Sequence, residues 1–520
     1  MCGAPSAVRR FGVIAGAILA AACSGDSAGP TGPTPPPPPG DDPPSLSREF
    51  RGLWVATVAN IDWPTQTGLS QASALAELRF ILDRAQALHM NAVIVQVRAA
   101  GDAIYRSPLE PWSRVLTGTQ GADPGWDPLD VWVTEAHQRG LEVHAWFNPF
   151  RAGNVSDTAR LAANHLARAR PDLARIAQGQ LWFDPGEPEV QQRALEVVLD
   201  VLTRYDVDAV HLDDYFYPYP LSGAVRPIQF PDDASWDKYR AAGGADMPRA
   251  DWRRRNVDTF LERLYTEVHR VKPSARVGLS PFGIWRPGYP PGITGLDAWA
   301  DIFADSRKWL ENGWADYFAP QLYWSLSSAG QNFSALFDWW ISVNARGRHV
   351  WPGLAAYRVA DGSSSQYNAA EILAQITQVR SRAGVAAGGA SGTLLYNTTS
   401  VRLNRGGLAD ALATSTYASP AIVPAYPWID AAPPAAPSVS VEPRGSAMHA
   451  QWTAVGPEVA RWWLVQWRTS TAWNAKTVWG TQGSLDIGFS GAADRADVVA
   501  VTAFDAAMNA SPPSVWRAPR

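Results

Sequence analysis

From Arg51 onward, short runs rich in Val, Leu and aromatic residues alternate with longer segments whose apolar positions recur at helical spacing. The runs are Gly52–Val58, Ala92–Arg98, Glu142–Asn148, Ala209–Asp214, Val277–Phe282, Tyr317–Trp324, Val350–Tyr357 and Thr393–Asn397, eight in all. Between the first two, Leu75, Leu78, Ile81, Leu82, Ala85 and Leu88 fall on one helix face, and Pro128 and Pro188 each follow an acidic residue where a first helical turn would start. Asp251–Val271 and Asn368–Ala383 repeat the helical pattern. Strand and helix in regular alternation predict an α/β chain, and eight such units over residues 47–427 predict a (β/α)8 barrel of the TIM type. An open doubly wound sheet is the competing arrangement, but no G-x-G-x-x-G follows any of the runs. Past Pro427 a Pro- and Ala-rich linker over 428–437 gives way to short alternating runs (His449–Trp452, Trp462–Trp467, Val498–Ala503), which predict a small all-β sandwich over 438–520.

The amino terminus reads differently. Arg9 and Arg10 precede an apolar stretch from Phe11 to Ala22, too short to span a bilayer, which predicts a secretory signal over 1–23. Its end, Leu19-Ala20-Ala21-Ala22-Cys23, resembles a bacterial lipobox with Leu19 one place further from Cys23 than usual, so Cys23 is the expected lipidation site. Residues 24–46, with Pro35–Pro39 in a row, predict a semi-extended tether. The expected location is the cell envelope, on the periplasmic face of the outer membrane in a Gram-negative cell.

Composition narrows the function. A net charge of -4, from 45 basic and 49 acidic residues, offers no cationic field for a phosphate backbone and argues against nucleic acid as a partner. The only cysteines, Cys2 and Cys23, precede every folded segment, which excludes a disulfide framework and a cysteine zinc site. No cofactor is implied. The 25 tryptophans fit either dense aromatic packing or flat platforms for a ligand.

In a barrel of this kind the site forms where strands end, and these ends are rich in polar groups. They carry Gln96 and Arg98; His144, Trp146, Asn148 and then Arg151; His211, Asp213 and Asp214; Gln321, Tyr323 and Trp324; Tyr357 and Arg358; and Tyr396 and Asn397. Two carboxylates leaving one strand into the cluster Tyr215-Phe216-Tyr217 supply what glycosidic cleavage needs: an acid, a stabilising carboxylate and flat surfaces for sugar faces. Asp213 and Asp214 are therefore the expected catalytic pair, although one could instead cap the following loop and the other pair with Arg98 or Arg151. Trp54, Gln96, Arg98, Trp146, Asn148, Arg151, His211, Tyr215, Trp285, Gln321, Tyr323 and Trp324 are the expected substrate contacts, with core packing the competing role for Trp54 and an equal alternative to sugar stacking for Trp285 and Trp324. His144 and His211 on adjacent strands could suggest a metal, but no third histidine sits at another strand end, and none is expected. Trp462, Trp463, Trp467, Trp473 and Trp479 of the terminal segment read as packing rather than a sugar platform.

Several long motifs share one likeness. Arg48-Glu49-Phe50-Arg51-Gly52-Leu53-Trp54, Gln96-Val97-Arg98 with Gly101-Asp102-Ala103, the stretch from Glu135 to Arg151, Asp184-Pro185-Gly186, His211 to Pro218 and Gln321-Leu322-Tyr323-Trp324 resemble the glycosyl-hydrolase-like family ten of bacterial lipoproteins. Ala99-Ala100 stands where that family usually has Pro. The run from Val498 to Asp505, with Asn509 to Pro513 after it, looks like the last strand of a fibronectin type III domain. The family resemblance implies an exported barrel hydrolase, some members of which cut peptidoglycan glycan strands stripped of stem peptides. The Asp213-Asp214 pair also resembles that of substrate-assisted hexosaminidases, in which the 2-acetamido group of the sugar is the nucleophile. Asp102, Asp316 and Glu142 are the other second-carboxylate candidates, with Asp316 and Glu142 expected at the wrong end of the barrel. Two functions follow: a glycoside hydrolase on an N-acetylated envelope glycan, or a catalytically silent carbohydrate-binding lipoprotein built on the same cleft.

Overall fold

A computed structural model describes residues 40, 42–153, 161–221, 223, 226–244, 246–383, 391–470 and 472–519. The expected signal segment, Cys23 and most of the tether lie outside the described residues. No helix among the described residues is long and apolar enough to cross a membrane.

The eight expected runs form one parallel ladder. β1 (Ser47–Val55), β2 (Ala92–Arg98) and β3 (Glu142–Phe147) are followed by a small antiparallel insertion, β4 (Arg151–Gly153), β5 (Ala174–Ala177) and β6 (Gln180–Phe183). The ladder resumes with β7 (Ala209–Leu212), β8 (Arg276–Leu279), β9 (Tyr317–Phe318), β10 (His349–Val350), β11 (Gly353–Leu354) and β12 (Ser391–Leu395). The pairing order is β10-β9-β8-β7-β3-β2-β1-β12-β11, all parallel. β10 and β11 are two halves of one stave. Val350 pairs with Phe318 on one side, and Gly353 and Leu354 pair with Leu394 and Leu395 on the other, so the sheet curls until its two ends share a segment.

Three staves are shorter than their apolar runs. Pro281, Pro320 and Pro352 sit at neighbouring positions, and a residue without an N–H ends regular pairing. Between these three staves the contact beyond the prolines continues as single bridges, Phe282 to Gln321 and Gln321 to Gly353, while Gly353 and Leu354 pair regularly with β12. The barrel interior holds aromatic rings rather than layers of aliphatic side chains: Phe50 stacks on Trp351 at 4.2 Å, and Tyr317 lies against His211 at 5.6 Å. Such rings need space, and glycine provides it. A Cβ on Gly278 would lie 2.0 Å from the Tyr317 ring, and one on Gly353 would lie 2.9 Å from Trp54.

The carboxyl-terminal strands form a separate sandwich of three strands on four. β13 (Ala421–Ile422) still pairs with the start of β1, and the sandwich follows with β14 (Ser438–Arg444), β15 (Ala447–Thr453), β16 (Trp462–Arg468), β17 (Trp473–Trp479), β18 (Ser484–Gly488), β19 (Val498–Phe504) and β20 (Ser514–Arg517). Its sheets run β14-β15-β18 and β17-β16-β19-β20, antiparallel throughout, with Met448, Trp452, Trp463, Val465, Ile487 and Val501 between them.

The outer face of the larger sheet packs under the barrel. Trp462, Leu464, Phe504 and Met508 join Ile422, Val423 and Tyr426 in one apolar cluster, and Trp479 stacks on His137 at 3.7 Å. Asp208, just before β7, links the two bodies: it accepts from the amide of Val143 (2.8 Å), from His137 (2.9 Å) and from Arg461 of the sandwich (2.6 Å). Burial pushes the Asp208 carboxyl up, but Arg461, His137 and Arg276 together hold it well below the usual carboxylate range. Removing one partner of a buried ion pair costs about 3 kcal/mol or more, because the remaining charge keeps its desolvation penalty. Arg461→Ala should therefore lower the unfolding free energy of the full chain by about 3 kcal/mol, read by urea denaturation at pH 7. An unchanged midpoint would mean that water replaces the guanidinium without cost.

Candidate active site

β7 delivers the central pair. It ends at Leu212, and the chain leaves the barrel through Asp213 and Asp214, 6 % and 2 % exposed. Asp213 Oδ2 accepts from Trp146 Nε1 at 2.9 Å and Asn148 Nδ2 at 2.5 Å, and Oδ1 accepts from the Tyr215 amide at 3.2 Å. Asp214 accepts from the Tyr219 hydroxyl through Oδ2 and is also bonded by the Gln321 side chain. Burial pushes Asp213 up to about 6, opposed by its three donors and by Arg151. Burial pushes Asp214 further, to about 7, and the charge of Asp213 beside it adds to the effect. One carboxyl is thus supplied with hydrogen-bond donors that favour its ionised form, while its neighbour holds a proton near neutrality, the division of labour that acid catalysis at a glycosidic oxygen requires.

Asn148 is fully buried, and its orientation is fixed by a chain of amides. Gln96 Oε1 accepts from the backbone N–H groups of Thr57 (3.0 Å) and Val58 (2.9 Å), which forces Gln96 Nε2 toward Asn148 Oδ1 at 2.6 Å. Asn148 must then present its Nδ2 to Asp213. Gln96 is therefore a positioning residue, 1 % exposed, rather than the substrate contact expected from its place on the strand. Gln96→Glu keeps the acceptor for Thr57 and Val58 but faces Asn148 with an oxygen, so Asn148 would turn an acceptor toward Asp213. Activity should fall about a hundredfold, the scale of a misplaced catalytic group, while the thermal melt stays cooperative; a kcat within about twofold of wild type would remove the relay from the mechanism.

Other expected contacts are also spent inside the protein. Arg98 forks onto Glu110 (2.6 and 2.8 Å) and donates to the carbonyls of Asn148 and Pro149, so it braces the loop that carries Asn148. His211 is fully buried, with Nδ1 2.8 Å from the Tyr317 hydroxyl and Nε2 3.0 Å from Ser280 Oγ; burial holds its pKa well below the usual histidine value. His144 shares the same Tyr317 hydroxyl at 2.7 Å and reaches Glu142 at 3.1 Å, which leaves neither ring a nitrogen for a ligand or metal. Trp54 packs edge-on against His211 and Tyr396 in the interior. Trp285 is buried, stacked on Trp339, with its indole N–H on Asp305 at 3.0 Å. His144 and His211 point inward from within their strands and meet the barrel core, whereas Arg98 at a strand end and Trp285 beyond one are taken up by the carboxylates Glu110 and Asp305.

The mouth itself is aromatic. Tyr215 carries the Arg151 guanidinium 5.5 Å over its ring and meets Tyr219 edge-on at 5.4 Å. Tyr219 meets Phe282, which in turn meets Trp324. On the other side Tyr323 stacks on Tyr396 at 5.8 Å, with Tyr357 edge-on to both. Burial raises both Tyr323 and Tyr396, with smaller contributions from the charge of Asp214 on Tyr323 and from those of Asp62 and Asp213 on Tyr396. Glu110 and Tyr219 were not among the expected residues; Tyr219 closes the same aromatic segment that begins at Tyr215, and Glu110 lies in a loop with no distinguishing pattern. Of the remaining second-carboxylate candidates, Glu142 and Asp316 are occupied elsewhere, and Asp102 is bonded through one oxygen while its buried Oδ1 is left without a hydrogen bond among the described residues. Glu142 pairs with Arg276 at 2.9 Å, Asp316 takes the Val277 amide and the indole of Trp428, and Asp102 takes Gln120 at 3.1 Å.

The family model described as Glycosyl hydrolase-like 10 matches residues 49–370, from β1 through the entry to the helix Ala369–Ser381. The chain belongs to the glycosyl hydrolase-like 10 family. Proteins similar to it include the glycosyl hydrolase YngK of Bacillus subtilis, 38 % identical over 401 residues that cover 76 % of this chain and 76 % of that protein. The glycosyl hydrolase DigH of Escherichia coli is 34 % identical over 349 residues, 62 % of this chain and 78 % of that protein. Among solved structures, the glycoside hydrolase domain of PgaB (BpsB) from Bordetella bronchiseptica aligns over 71 % of this chain and 98 % of its own, at 14 % identity and a TM-score of 0.45. Membership of glycosyl hydrolase-like 10 supports a glycosidase-type function on a polysaccharide. The match ends before the sandwich, which lies outside the family model.

Proposed function

We propose that the protein is a glycoside hydrolase acting on a 2-acetamido glycan of the cell envelope, peptidoglycan strands lacking stem peptides. One observation carries this reading: two consecutive carboxyl groups at the mouth of the barrel, one accepting from three donors that favour its ionised form against burial and the other pushed further up, to about 7, by burial and its neighbour's charge, between two walls of aromatic rings. Adjacent acids on one strand end suit a reaction in which the sugar supplies its own nucleophile. The acetamido oxygen attacks the anomeric carbon as the glycosidic C–O bond breaks, and Asp214 gives its proton to the leaving oxygen. Asp213 accepts the acetamido N–H and stabilises the positive charge that develops on the cyclic intermediate. Water then adds at the same carbon, losing a proton to Asp214 and restoring both groups, with retained configuration.

Export and an anchor at Cys23 belong to the same reading, because peptidoglycan lies outside the cytoplasmic membrane. The deciding experiment is digestion of purified peptidoglycan, intact and amidase-stripped, by the chain lacking residues 1–44, with products read by mass spectrometry. Short oligosaccharides from the stripped strands, absent with Asp213→Asn, are the expected result. Sedimentation with the glycan and no product would leave a binding protein in its place.

A further inference from the structure

We propose that the hollow beside the aromatic mouth is a subsite for a sugar bearing a free carboxylate, and that Arg358 reads that carboxylate. The proposal rests on the hydrolase reading for the glycan it concerns, and its site lies one residue beyond the Tyr323 wall. The hollow, about 450 Å³, lies between the chain leaving β9 and the segment that follows β11, with Trp324, Ser325, Ser328, Arg358, Gln366 and Tyr367 on its walls. A flat indole together with hydroxyls and amides is a lining suited to a pyranose ring.

Arg358 is held but not neutralised. Its Nη1 donates to the carbonyl of Tyr323 at 3.1 Å and reaches the Tyr367 hydroxyl at 3.4 Å, with the guanidinium 4.8 Å over the Tyr367 ring. Those contacts orient one edge of the guanidinium. Among the described residues no carboxylate comes within ion-pair distance of the group, unlike Arg98, Arg276 and Arg461 elsewhere in the fold. Glu371 also lines the hollow, but its Oε1 is engaged by the Leu326 amide at 2.7 Å and by Gln375 at 2.9 Å. The remaining edge of a fixed guanidinium matches a carboxylate in two-point geometry, which an amide does not satisfy. Trp324 on the wall of the hollow meets Phe282 at 5.6 Å, Phe282 meets Tyr219 at 5.9 Å, and the Tyr219 hydroxyl bonds Asp214, so a glycan lying across Asp213 and Asp214 brings a further sugar toward this hollow.

That chemistry distinguishes two forms of one polymer. In intact peptidoglycan the lactyl group of N-acetylmuramic acid is an amide carrying a stem peptide. Hydrolysis of that amide leaves a lactyl carboxylate and frees the space that the peptide occupied. The subsite would therefore make the preference for stripped strands a matter of charge as well as bulk.

The test separates charge from catalysis by using Asp213→Asn protein and calorimetric binding. The ligands are stripped glycan oligomers and the same oligomers with every lactyl carboxylate converted to its methylamide. Binding about tenfold tighter to the carboxylate form, with the preference shrinking as salt rises, is the expected result. Arg358→Gln in the same background should bring the two affinities to within about twofold, and Arg358→Lys should retain part of the preference. Equal affinities in the Arg358 protein, a preference that survives Arg358→Gln, or no binding of either oligomer would each overturn the proposal. Turnover by the Asp213 protein is scored separately: an Arg358-dependent preference without hydrolysis sinks the hydrolase reading and keeps the subsite, and hydrolysis without the preference does the reverse.

Discussion

Asp214→Asn should lower kcat/KM for a natural glycan by about a thousandfold while leaving most of kcat/KM for an aryl N-acetylglucosaminide with a good leaving group, because kcat/KM reports the first bond cleavage and not the later attack of water. The contrast follows from what each bond demands. An alkoxide leaving from a sugar needs a proton in the transition state, and Asp214 is the group held protonated near neutrality, up to about 7, by burial and by Asp213. A nitrophenolate leaves without that help. Asp213→Asn should behave differently and lose about a thousandfold on both substrates, because stabilising the acetamido group is required whatever departs. The Asn side chain can still accept from Trp146 or from the Tyr215 amide, but it brings no charge. Equal losses for the two variants on both substrates would show that the roles are not divided as the hydrogen bonds suggest.

The second large effect is in pH. The pair titrates with values of about 6 and about 7, both raised from 3.8 primarily by burial. The active form has one proton on the pair, so kcat/KM should rise through about 6, peak between the two values and fall through about 7. Asp214→Asn on the aryl substrate should keep the acidic limb and lose the alkaline one. Stability has the opposite sign from that of an ion-paired carboxylate. A group whose folded pKa is raised binds its proton more tightly folded than unfolded, so its contribution weakens as pH climbs from about 4 toward 7 and stays absent above. The Asn variants should therefore melt a few degrees higher than the parent at pH 8, a gain that disappears near pH 4. A parent equally stable at both pH values relative to Asp214→Asn would mean that the pair is hydrated in the folded protein.

Much of the architecture was legible along the chain. Short apolar runs alternating with helical-period segments mark eight staves, and the helix starts at Pro128 and Asn368 were legible within the chain; in the structure Asp127 accepts from the Leu129 and Asp130 amides, and Asn368 from that of Glu371. Those features depend on residues within a few places of one another, so local physics settles them. The Asp213-Asp214 pair and the ring-bearing segment after it were legible for the same reason.

What the sequence by itself determined, then, is the order of strands and helices, the change to an antiparallel sandwich after Pro427, and the adjacency of two carboxylates at one strand end. Only the tertiary structure decided which polar strand residues face substrate. Gln96, Arg98 and His211 look alike as strand-end polar groups, yet each has its hydrogen-bonding capacity consumed by a partner distant in sequence: Asn148 and Thr57, Glu110, and Tyr317 with Ser280. A longer stretch of chain, 253 residues, separates Arg461 from Asp208, the contact that ties the sandwich to the base of β7. Burial forces a polar group to find such a partner, but which one it finds depends on ring closure and on the sandwich docking beneath it, and neither leaves a local pattern in the chain.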